Sequence, residues 1–299
     1  MFENKKWIGH LAVLTVYIIF GINPNCSKAI IPEYISPEVF TAVRMLFGTA
    51  VFWLLSPLAR HEKPDKKEML LLVAGAVSLS GTLIAFAEAF KYTSPCYVSL
   101  ISATSPLWVM LLAALFLKEP VSTRKSLGVA VGIAGALVMV VFSWNNDANA
   151  SPAGLLLCFV NILFYAVYLL ITRSISKKYS PITLMKWMFL FGSFICLPPA
   201  LVSLSAHGCV LFGGGAPVSA FLNLFAVLIF ATVVSYFLLP VSLRYLRPTT
   251  VSMYSNLQPV VTACVAIFFG QDIFTWNKPV ALLLIICGVY LVTTSRAKA

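Results

Sequence analysis

The sequence predicts an all-α integral membrane protein with ten transmembrane helices in two inverted five-helix repeats. Three observations carry that expectation. The 299-residue chain is 60% hydrophobic and only 10% charged, with a mean hydropathy of +0.92, whereas a soluble chain has roughly a quarter charged residues. Apolar runs long enough to cross a hydrocarbon core of about 30 Å follow one another with little between them. The second half of the chain, moreover, repeats motifs of the first.

The spans fall at residues 8–29, 38–59, 69–90, 94–117 and 124–143, then at 153–175, 181–205, 219–243, 248–270 and 278–295. They are long and apolar on all faces, unlike the short alternating strands of a membrane barrel. Lys5 and Lys6 precede the first run as they would in a signal peptide, but no small-x-small site ends it and Asn23-Pro24-Asn25 interrupts it, so it reads as a spanning helix. In the fifth, Gly128, Gly132 and Gly135 form a small-residue face for close helix packing.

The repeat is visible at a shift of 153 residues, which places Tyr92 on Tyr245, Pro95 on Pro248, Ser99 on Ser252, Ser102 on Ser255 and Pro106 on Pro259. Earlier in each half a shift of 144 places Ser36-Pro37 on Ser180-Pro181, and Leu46, Phe47 and Gly48 on Leu190, Phe191 and Gly192. The "HGCVLFGGGAP" stretch accounts for the difference. The expected units are a first repeat over residues 1–143, an outer linker over 144–152 and a second repeat over 153–299. Five helices is an odd number, so the second copy enters the membrane from the other side, an arrangement suited to alternating access.

The net charge of +11 does not read as a nucleic-acid surface, because it is spread along one side of the predicted topology. That side holds Lys5, Lys6, Arg60, Lys63, Lys66, Lys67, Lys118, Arg173, Lys177, Lys178, Arg244 and Arg247, among others; the opposite side receives Lys91 and Lys278. The bias puts both termini in the cytoplasm. The seven cysteines are scattered singly, the three histidines lie far apart, and the glycines at 213–215 lack the Lys-Ser/Thr of a phosphate loop. The sequence thus points to no enzyme, metal or cofactor.

Helix interruptions at matching positions of two inverted halves are where a substrate site is expected. Pro106 and Pro259 each free the carbonyl four residues earlier, that of Ser102 or Ser255. Ser99, Ser102 and Ser105 form a stripe, answered by Ser252, Ser255 and Gln258 with Asn256 alongside. A serine in an apolar helix also serves by bonding its own backbone, but the paired set suggests a polar lining. Tyr17, Tyr165, Tyr168, Tyr236 and Tyr254, with Asn161 one turn before Tyr165, offer apolar faces and hydroxyls for a small amphipathic molecule, or serve as core tyrosines. Tyr17, Gly21, Pro24 and Lys28 share one face of the first helix. Asn25, Lys28, Arg44 and Glu88 are the expected gate or rim, with Lys28 or Arg44 pairing to Glu88; Lys186 is a further charge at membrane depth or a snorkelling side chain.

The stretches "ISPEVFTAVRMLFG" and "KYTSPCYVSLISATSPLWVMLLAALFLKEPVSTRKSLGVAVGIAGALVMV", with their second-half counterparts, resemble EamA-type members of the drug/metabolite transporter superfamily over essentially the whole chain. The resemblance implies a ten-helix inverted-repeat transporter whose central cavity is lined chiefly by helices one, three, four, six, eight and nine, exporting small metabolites such as amino acids. Gln258-Pro259 stands where many members have Glu-Pro, and Gly270-Gln271-Asp272 replaces the usual Gly-Glu, so a facilitative mechanism stays open beside proton coupling. The expected protein is a multi-pass transporter of a bacterial-type cell membrane, acting on a small-molecule substrate as a monomer or weak dimer. A nucleotide-sugar or drug carrier of the same fold, or a non-transporting accessory protein, are the alternatives.

Overall fold

A computed structural model describes residues 6–59, 62–93, 95–118, 121–141, 151–213, 215–268 and 277–294. Lys5, Arg60, Glu119, Asp272 and most of the expected linker over 144–152 lie outside the described residues. Among the described residues the chain is helical, without strands. Its elements are α1 (Lys6–Lys28), α2 (Pro37–Leu55), α3 (Lys66–Ala89), α4 (Pro95–Ser102), α5 (Ser105–Phe116), α6 (Thr123–Val141), α7 (Pro152–Ile175), α8 (Pro181–His207), α9 (Val218–Ala226), α10 (Ser235–Tyr245), α11 (Pro248–Met253), α12 (Leu257–Phe268) and α13 (Asn277–Thr294).

Local chemistry sets these boundaries. Ser36 and Ser180 hold extended backbone, accept hydrogen bonds from the Val39 and Thr183 amides, and are each followed by a proline whose missing N–H is harmless in the first turn. Ser151-Pro152 opens α7 in the same way. Asp65 and Glu68 form a reciprocal capping box at the start of α3.

Three expected helices depart from regular geometry. The expected span 94–117 is broken at Ala103-Thr104, ahead of Pro106, into α4 and α5. The span 248–270 passes through a 3-10 turn at Tyr254–Asn256, ahead of Pro259, between α11 and α12. Between α9 and α10 the chain stays helical but widens into a π-helical segment, Val227–Val234, which no proline or glycine announces.

Among the described residues six helical rods, including Lys66–Ala89 and Val218–Tyr245, are long and apolar enough to cross a membrane, and no more than half of the most apolar stretch of each is buried inside the protein. Exposed Leu54, Leu58, Leu115 and Phe116 show a surface that is itself apolar. The most extensive packing joins α6 to α13, α3 to α7 and α8, α2 to α8, and α1 to α10 and α12, so each main contact pairs an early helix with a late one. At the end that carries the start of α1, Glu68 receives Lys178 and the Tyr179 hydroxyl, while Arg244 donates to the Ser176 and Tyr179 carbonyls at 3.0 and 3.2 Å.

The α6–α13 crossing is backbone against backbone. A Cβ at Gly288 would lie 2.7 Å from the Gly128 carbonyl oxygen and 2.7 Å from the Gly132 nitrogen, atoms that no rotamer change can move. Gly288→Leu is expected to lower the melting temperature in detergent micelles by the equivalent of about 1–3 kcal/mol. Gly75→Ala, whose Cβ would meet the movable end of Met188, is expected to melt closer to the parent protein.

Candidate functional site

The two helix breaks face each other. Pro106 has no N–H to give the Ser102 carbonyl; that oxygen instead accepts from the Ser255 hydroxyl at 3.3 Å, and Ser255 also shares a 2.8 Å hydrogen bond with Ser105. One residue pair thus satisfies the backbone of one interruption with a side chain from the other. Nearby, Thr262 donates to the Gly21 carbonyl at 2.7 Å and lies 3.5 Å from the Ser99 hydroxyl, which closes α12 onto α1 and α4.

A cavity opens beside this junction, in the half of the molecule away from the start of α1. Its polar wall comes from Asn23, Thr82, Ser99, Ser102, Asn161 and Gln258. Tyr17, Phe20, Phe86, Tyr165 and Tyr236 supply an aromatic wall, and Arg44 reaches it from α2. Space for the centres of water molecules amounts to about 70 Å³, which is room for roughly five waters. Only a small ligand fits without movement of the walls.

An aromatic layer underlies the cavity. Tyr17 and Tyr165 share a 2.8 Å hydroxyl–hydroxyl bond between α1 and α7. Tyr236 meets Phe20, Tyr168 and Phe189 with ring centroids 5.6–6.0 Å apart, in the tilted and edge-on arrangements that aromatic quadrupoles favour.

Of the expected lining residues, Ser99, Ser102, Ser105, Asn161, Tyr165, Ser255 and Gln258 border the cavity. Tyr168 lies one turn deeper, with its hydroxyl on the Met185 sulfur. Ser252 is fully buried and bonds back to the Thr249 carbonyl at 3.0 Å, the simple structural use of a helical serine. Asn256 is turned toward α6, where a Cβ at Gly132 would stand 2.5 Å from its amide nitrogen, and its Nδ2 and Oδ1 are buried without a partner. Tyr254 bonds the His10 ring at 2.8 Å, near the start of α1. Gly21 faces Val261 of α12.

The expected pairing of Lys28 or Arg44 with Glu88 is not formed. Lys28, at the end of α1, donates to the Phe90 carbonyl at 2.8 Å. Arg44 points inward, to Thr232 and Ala231. Glu88 instead pairs with Lys91 at 3.0 Å, and Lys91 also pairs with Glu38 at 3.0 Å, joining the ends of α2 and α3. Asn25 is partly buried, with its amide nitrogen unpaired. Lys186 donates to Ser56 at 2.8 Å between the rings of Trp53 and Trp187, an interfacial anchor outside the cavity.

Asn23, Phe20, Thr82 and Phe86 line the cavity and were not among the expected lining residues. Spacing contained a signal for three of them: Tyr17, Phe20 and Pro24 step by three and four along α1, and Thr82 and Phe86 by four along α3. The Thr82 carbonyl holds the Asn161 amide at 2.7 Å, a backbone contact that residue identity does not reveal.

Burial opposes the charge on Lys91, but its bonds to Glu88 and Glu38 outweigh this and hold its pKa above the ordinary lysine value. Its contribution to stability is therefore present through the neutral range and lost only as pH rises through that raised value. The three groups are 20–31% exposed, so Lys91→Met is expected to cost only about 1 kcal/mol or less at neutral pH. With two carboxylates left facing each other, the variant's deficit should shrink on acidification, as read by melting temperature against pH.

Comparison with known proteins bears on the whole chain. The model of the EamA-like transporter family matches residues 7–141 and again 152–294. An uncharacterized transporter of Archaeoglobus fulgidus is 24% identical over 301 residues, covering 98% of this chain and 100% of that one. The uncharacterized transporter YyaM of Bacillus subtilis is 23% identical, covering 94% and 92%, and a WAT1-related protein of Arabidopsis thaliana is 25% identical, covering 100% and 93%. A solved crystal structure superposes with a TM-score of 0.75 at 17% identity over 98% of this chain and 97% of that one, a likeness of fold. With its family model matched over both halves, the chain belongs to the EamA-like transporter family.

Proposed function

We propose that this membrane transporter moves small organic metabolites, amphiphiles with an apolar body and a polar head, outward across a cell membrane by alternating access, with the cavity between the two helix breaks as the substrate site. The observation that carries the reading is the Ser105–Ser255–Ser102 junction: both interruptions are tied together at one border of the cavity. Broken helices that meet at a cavity are what membrane transport sites are built from.

Taking α4 with α5, α9 with α10 and α11 with α12 as single rods beside α1, α2, α3, α6, α7, α8 and α13 would give the ten spans of this reading. The packing supports two exchangeable halves. Under the sequence correspondence α1 matches α7 and α3 matches the rod containing α10, so the α3–α7 contact and the α1–α10 contact are the same contact in the two halves. The α4/α5 contact with α7 corresponds in the same way to that of α12 with α1, and the two family matches divide the chain at the same place. The basic residues near the start of α1 support cytoplasmic termini. On that assignment the aromatic layer and the Glu68–Lys178–Tyr179 contacts close the cytoplasmic side of the cavity.

Among the described residues no carboxylate borders the cavity, which favours facilitated movement over proton coupling at this site. In proteoliposomes a labelled metabolite panel should show saturable flux that a pH gradient leaves unchanged. Flux for no compound from folded protein would overturn the transport site, and flux that follows the pH gradient would overturn the facilitative mechanism.

Tyr17→Phe keeps the ring and removes the bond to Tyr165, a loss of about 1 kcal/mol from the observed state. The population open to the cytoplasm is expected to rise about fivefold. Labelling of a Thr172→Cys probe, one turn beyond Tyr168 on α7, by an impermeant maleimide from that side measures it.

A further inference from the structure

Arg44 is 1% exposed, and a guanidinium does not deprotonate in proteins, so its charge stays in the apolar interior. Two donors are engaged: Nε with the Thr232 hydroxyl at 3.0 Å and Nη2 with the Ala231 carbonyl at 3.4 Å. The Phe40 ring covers it at 5.6 Å. Among the described residues no carboxylate pairs with it, and its remaining N–H groups, including both on Nη1, have no acceptor.

An uncompensated charge at this burial costs several kcal/mol. Arg44 borders the cavity, whose other polar side chains, such as Asn23, Asn161 and Gln258, are neutral. Among the described residues the groups around it supply no counter-charge, which a bound anion would provide. The planar donor fork suits a carboxylate, which can be held by two parallel bonds. The facing aromatic rings suit an apolar body.

We propose that Arg44 is the anion subsite of this cavity and that the transported compounds are small apolar monocarboxylates, selected over cations and zwitterions. The proposal rests on the transport reading of the same cavity. A zwitterion would bring an ammonium group into a site that offers it no carboxylate, and a cation would face Arg44 directly. The roughly five waters' worth of space limits the body to about one ring in this conformation. A purely structural Arg44, holding α2 to the π-helical segment through Thr232 and Ala231, would confer stability but no preference for charge.

The test uses four probes of nearly one shape and different charge: benzoate, benzamide, benzylamine and phenylglycine. Equilibrium binding to the purified full-length protein is expected to be at least about tenfold tighter for benzoate than for the other three. Arg44→Gln is expected to bring benzoate to the level of benzamide, and Arg44→Lys to keep part of the preference. Benzamide, benzylamine or phenylglycine binding the parent protein as tightly as benzoate would overturn the proposal, as would undetectable benzoate binding. Unchanged benzoate affinity in folded Arg44→Gln would overturn it as well. If that variant does not fold, the four-probe comparison on the parent protein decides alone. Benzoate binding with the expected preference, but without benzoate flux in proteoliposomes, would support the subsite and overturn the transport reading.

Discussion

Backbone groups freed inside an apolar medium must find partners, and the architecture follows from how this chain meets that demand. Pro106 interrupts a helix and leaves the Ser102 carbonyl without its helical donor, and Ser255 supplies the missing donor from the opposite break. The first interruption takes its donor from the second, and Ser255 takes its other partner, Ser105, from the first. Such mutual dependence brings two broken rods side by side, and rods that break cannot pack as closely as rods that continue. The space left beside them is the cavity.

The aromatic layer and the polar wall divide two tasks. The Tyr17 and Tyr165 hydroxyls bond to each other and that of Tyr168 bonds to sulfur, so these three rings help close one side of the cavity with their polar ends satisfied. On the other wall, amides and serines remain beside the open space. Arg44 spans the division, anchored in the π-helical segment while bordering the cavity. That segment supplies both the Thr232 hydroxyl and the Ala231 carbonyl that hold it.

Much of the architecture was legible in the residues because membrane burial leaves strong periodic marks. Ser-Pro pairs announced the starts of α2 and α8, and matched prolines announced the two breaks. The stripe of Ser99, Ser102 and Ser105 was readable because three serines on one face of an apolar helix are costly unless they meet something polar. What could not be read was direction. Asn256 and Gln258 are two residues apart and so point to nearly opposite faces of the rod, but which of them meets the cavity and which meets α6 is set by tertiary packing. The π-helical segment was hidden because its sequence, VLIFATVV, is an ordinary apolar run with no proline or glycine to mark it. The charge partners differ for another reason: Lys91 stands three residues after Glu88, within reach by helix spacing, and it takes Glu88 in place of Lys28 or Arg44.

The glycine seam between α6 and α13 has a further implication for how such a chain can diverge. Glycine is the lower limit of side-chain size, so Gly128, Gly132 and Gly288 have neighbours in sequence space on one side only, and every one of them is larger than the gap. Cavity residues such as Phe20, Phe86 and Gln258 can change in either direction, larger or smaller, polar or apolar. Drift in this fold is therefore channelled: the seam holds the frame still, and new specificities accumulate at the wall.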